Sequence, residues 1–151
     1  MSVYNEAAAF TKSVLGKVAS KPYTIAAETK SLFNVSGLVV VTSLVGVVTT
    51  AMTVANTVKL TVNPTTGTST DMCTATDLGT TDTPAGNLLT LPAAVGSAMT
   101  NSIGVGLPGR GFFQVAAGTI EQITTGTSPD GAITWYLTYV PLVDGATVVA
   151  A

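Results

Sequence analysis

From Ser31 to Val58 the chain carries no charge: SLFNVSGLVVVTSLVGVVTTAMTVANTV lies between Lys30 and Lys59. A run this long and apolar belongs in a bilayer or in the interior of a sheet protein. Its central part, LVVVTSLVGVVTTAMTVANTV (38–58), approaches the length of a membrane span. Against a span, seven of those residues are Ser, Thr or Asn, leucine is scarce, and Lys or aromatic anchors do not flank both ends. Valine dominates, which suits a pleated surface. The run is therefore read as buried strands, with a membrane protein spanning at 38–58 as the last of the alternatives.

Period-two alternation carries the reading outward from this run. In SLFNVSGLVVV, Phe33, Val35, Val39 and Val41 fall on one face, with a bulge expected at Gly37. Leu44, Val48 and Met52 share a face further on, with Val45 and Val47 opposite. VKLTVNP turns Val58, Leu60 and Val62 inward and stops at Asn63-Pro64. These pieces predict an antiparallel meander. A strand through Gln114 to Thr125, the turn Ser128-Pro129-Asp130-Gly131 and the strand AITWYLTYVPL predict a hairpin. In that last strand Ile133, Trp135, Leu137 and Tyr139 form the core face, Thr134, Tyr136, Thr138 and Val140 the other, and Pro141 ends the pairing. The middle, TTGTSTDMCTATDLGTTDTPAGNLLTLP, reads as short strands joined by surface loops, and AAVGSAMTNSIGVGLPGRG as a loop or weakly paired segment.

Composition agrees with an all-β chain: 27 of 151 residues are Thr and 20 are Val, and 46% are hydrophobic, enough for one domain with a real core. Charged residues are 9%, against roughly 25% in an ordinary soluble domain. Such a surface is poorly protected against association, so burial against other chains is expected. Residues 1–59 hold five Lys and two acids; residues 60–151 hold one Arg and six acids. A basic leading segment thus precedes an acidic body, and nucleic acid is not an expected partner. SVYNEAAAFTKSVLGKV (2–18) spaces Ala7, Phe10, Val14 and Val18 as a helix would, leaving a short helix or an extended arm open. MSVYNEAAAF has none of the features of a secretory signal, so synthesis in the cytoplasm is expected.

Chemistry is scarce. There is no His, and the single Cys73 is expected to be a buried hydrophobe. GVGLPGRG (104–111) satisfies G-x-G-x-x-G, but Pro108 interrupts it and FFQVAAGTI reads as strand where a dinucleotide site needs a helix. Asp71, Asp77 and Asp82 match no calcium-loop spacing. No enzyme, cofactor or metal is expected.

The segments SLFNVSGLVVVTSLVGVVTT (31–50), VKLTVNPTTGT (58–68), AAGTIEQITT (116–125) and GAITWYLTYVPLVDGATVVAA (131–151) together resemble small virion structural proteins of tailed bacteriophages, most of all capsid decoration, or cement, proteins. The resemblance implies an antiparallel β-sandwich or jelly roll, a homo-oligomer with a trimer favoured, the major capsid protein as partner, and a place on the outer capsid surface of the virion. In that setting residues 1–30 are expected to form an N-terminal arm or short helix, and 31–151 the β-sandwich domain. Tyr4 and Phe10 would anchor the arm on the capsid, Lys12, Lys17, Lys21 and Lys30 would face acidic capsid groups, and Tyr136 and Val140 would meet a neighbouring subunit. The alternative is a tail or head-fibre module that recognises the host.

Overall fold

The structure is a computed structural model that describes residues 16–107 and 109–151. Its strands are β1 (Lys17–Thr24), β2 (Thr29–Ser36), β3 (Val39–Thr50), β4 (Asn56–Pro64), β5 (Thr70–Asp71), β6 (Thr76–Leu78), β7 (Asn87–Thr90), β8 (Thr100–Ile103), β9 (Phe113–Val115), β10 (Gly118–Gly126), β11 (Ala132–Pro141) and β12 (Thr147–Ala150). They form two six-stranded antiparallel sheets. The first runs β1-β11-β3-β7-β8, with β9 also on β3; the second runs β12-β2-β10-β4-β5, with β6 also on β4. The pairs are nested: β1 with β11, β2 with β10, β3 with β7, and β4 with β5 and β6. One long antiparallel ribbon folded over itself gives that order, which is the jelly roll.

The core lies between the sheets. Phe33, Leu60 and Ile120 of the second sheet meet Val41, Leu89, Ile133, Trp135 and Leu137 of the first, all buried. Removing each large side chain from water contributes about 1.5–3 kcal/mol. The alternation read in β11 holds throughout: Ile133, Trp135, Leu137 and Tyr139 are buried, and Tyr136 is exposed.

The expected meander does not form. SLFNVSGLVVV is two strands in opposite sheets, because Gly37 reverses the chain with φ +74°, a backbone region costly for any residue with a Cβ. Phe33, Val35, Val39 and Val41 are all buried, but they approach one core from two sides. β4 likewise returns to the second sheet.

The expected hairpin is also corrected. Gln114–Thr125 divides into β9, in the first sheet, and β10, in the second, and β10 faces β11 across the core instead of pairing with it. The Ser128–Gly131 turn is an arch between sheets. Asp130 clamps it to the β3–β4 arch: Oδ1 accepts from the main-chain N–H groups of Thr53 and Val54, both at 2.9 Å, and Oδ2 from the Thr53 hydroxyl at 2.7 Å.

The boundary expected at residue 30 falls inside β2. Residues 17–24 pair with β11 over its whole core face, from Lys17 opposite Tyr139 to Thr24 opposite Ala132, so they are not an arm. The remainder of that expectation, residues 1–15, lies outside the described residues. The 38–58 run is β3, an arch and the start of β4; among the described residues no helix is long and apolar enough to cross a membrane.

Candidate functional site

The two outer faces of the sandwich differ in chemistry. In the second sheet, Thr57, Lys59, Thr61 and Asn63 of β4 stand beside Thr119, Glu121 and Thr125 of β10, facing outward, and they satisfy one another. Lys59 Nζ meets Asp71 Oδ2 at 2.8 Å, Thr61 donates to the same carboxylate at 2.8 Å, Thr119 and Asn63 donate to Glu121, and Thr57 bonds Thr125. The Lys59 and Thr61 bonds hold the Asp71 carboxyl below its usual range.

The first sheet presents the opposite. Its strands contain two charged residues, Lys17 and Lys21 on β1. Both lie opposite buried residues of β11, Tyr139 and Trp135, so they belong to the inward side of β1. No strand residue on the outer face is charged. Val18, Tyr136, Val45, Val47 and Leu88 share it with threonines and serines, Val18 being 67% and Tyr136 42% exposed. Single exposed apolar side chains need no explanation, whereas a whole sheet face without a charge does.

A groove of about 430 Å³ opens on this face. β3 supplies its floor where two irregularities coincide. Against β11 the register slips between Thr138 and Tyr139, leaving Thr42 unpaired, and on the other side β7 covers Val45–Val47 and β9 covers Val39–Val41. Among the described residues no strand pairs with Thr42, Ser43 or Leu44 on that side. Gly106, Leu107, Gly109, Arg110 and Gly111, from the glycine-rich stretch that mimics a nucleotide motif, form the wall. Gly109 is required there because a Cβ would sit 2.1 Å from the Leu91 carbonyl oxygen. Arg110 N–H donates to that same oxygen at 3.2 Å, its guanidinium donates to Met72 O at 2.7 Å, and it lies 5.7 Å from the Phe113 ring centre. Among the described residues no carboxylate pairs with Arg110.

Of the residues singled out from sequence, Tyr136 and Val140 lie together on the uncharged face. Tyr4, Phe10 and Lys12 lie outside the described residues. Lys17 and Lys21 sit on edge strand β1, where Lys21 Nζ bonds the main-chain oxygen of Ala151, and Lys30 lies opposite Gln122 on β2. These three lysines thus lie on strands of the body, β1 and β2, and not on an arm. Sequence reading missed the groove: Thr42, Ser43, Leu88 and Thr90 look like ordinary strand residues, and Arg110 drew notice only as part of GVGLPGRG.

Thr42, Ser43 and Thr90 bring hydroxyls to the groove, and among the described residues no carboxylate or thiol lines it. Cys73 is buried in the core, its Sγ 3.4 Å from Leu60 N, and burial pushes its thiol up. Among the described residues no group of three metal-ligating side chains forms, and Asp71 and Asp77 are engaged with Lys59 and Thr80. No family model, curated protein or solved structure matches the chain.

Proposed function

We propose that this protein is a non-enzymatic structural component of a phage virion, decorating the outer capsid and holding neighbouring major capsid subunits together. The observation that carries the reading is the asymmetry of the sandwich. One outer face is a satisfied polar ladder suited to water, and the other has no charged strand residue and suits a covering protein surface. The jelly roll, an architecture that recurs in viral capsid domains, and the resemblance of four sequence segments point the same way.

In this role the protein binds as a homo-oligomer, a trimer, with Tyr136 and Val140 against the next copy. Lys17, Lys21 and Lys30 meet acidic groups of the capsid. Several modest contacts made at once give avidity, and a clamp that binds only the assembled lattice stabilises it by linkage. The test is the copy number in purified particles. A fixed ratio to the major capsid protein is expected; a handful of copies confined to the tail would instead favour the host-recognition module.

A further inference from the structure

The groove on the uncharged face is assigned no task by the polar ladder, the oligomer contact or the lysine edge. We infer that it receives an extended, carboxylate-bearing segment of the major capsid protein, an assignment that rests on the virion reading.

Three observations converge on it. Among the described residues the main chain of Thr42–Leu44 has no strand neighbour between β7 and β9, so an extended segment finds unclaimed edge there. The protein's sheet edges elsewhere are guarded: β1 carries Pro22 and the inward-side Lys17 and Lys21, and β5, β8 and β12 have two to four residues each. This gap has no such guard. Secondly, among the described residues Arg110 is the one charged residue lining the groove, and its fork has five N–H donors of which the Met72 carbonyl takes one. With no carboxylate partner among the described residues, the complementary group is an Asp or Glu from outside. Thirdly, the rim is apolar and open: Leu107 is 47% exposed, and Leu88 and Phe113 line the walls. An extended segment with one acid among apolar residues satisfies all three, whereas a strongly acidic one would strand charge against Leu88 and Phe113.

The experiment measures binding of the full chain to purified heads that lack it, by co-sedimentation, for wild type, Arg110→Gln and Leu88→Glu. Leu88 is on the outer side of β7, so Leu88→Glu leaves the core intact and its melting temperature reports this directly. Both variants are expected to weaken binding at least about tenfold with Leu88→Glu melting as wild type does. A photo-crosslinker at Leu107 is expected to capture a capsid peptide containing Asp or Glu. Wild type that does not bind heads refutes the virion reading itself. Wild type that binds, with both variants within about twofold of it, or a crosslink to a capsid peptide without an acid, overturns the groove assignment alone.

Discussion

Gln122 is a fully buried amide in the middle of an apolar core, and Trp135 is its reason. The indole N–H donates to Gln122 Oε1 at 2.7 Å across the sandwich, and Gln122 Nε2 donates to Thr124 at 2.9 Å. A donor left alone in such a place costs about 1–3 kcal/mol. Gln122→Leu is therefore expected to lower stability by about that much in denaturant titration, and the Gln122→Leu/Trp135→Phe pair to lose less than the sum of the single changes. Gly46 answers to the same ring. A Cβ there would lie 2.8 Å from Trp135 Cζ3 and 3.0 Å from Ile133, so Gly46→Ala overpacks the core and is expected to cost about 1–3 kcal/mol by the same assay. Trp135 as a core residue was legible from alternation alone. Gln122 was not, since periodicity turns it inward without naming the donor that makes this tolerable.

At the scale of elements, existence was legible and partnership was not. Every strongly alternating run became a strand, yet alternation specifies a buried face and not the sheet that owns it. Phe33 and Val39 read as one strand because two faces lining a common core give the same pattern as one continuous face. What decides the matter is local chemistry at the corners, Gly37 at one and Asp130 at another. Backbone N–H bonds from Val54 and Thr53 hold the Asp130 carboxyl below its ordinary value. A carboxyl so lowered adds stability above its unfolded value and loses it as pH falls through the folded one. Asp130→Asn is thus expected to melt at a lower temperature than wild type at neutral pH, with the gap narrowing below about pH 4. A gap independent of pH would place the stabilisation in packing.

For the whole molecule, the disposition of its few charges matters more than their number. Lys59, Asp71 and Glu121 collect on one outer face, Lys17 and Lys21 on an edge, and none on the outward side of β11, β3 or β7. Low overall charge was plain in the sequence and predicted association. The side without charge emerged only once the strands were sorted between sheets. Tyr136→Glu places a charge on that side without touching the core. It is expected to leave the melting temperature of the isolated fold within a few degrees of wild type, while shifting the oligomer toward monomer in sedimentation. Imaging of intact particles by electron cryomicroscopy tests the central proposal most directly. Jelly-roll density is expected in regular array on the capsid exterior, with the β1-β11-β3-β7 face covered and the β4–β10 ladder toward solvent. A reversed orientation, or density at the tail alone, would contradict it.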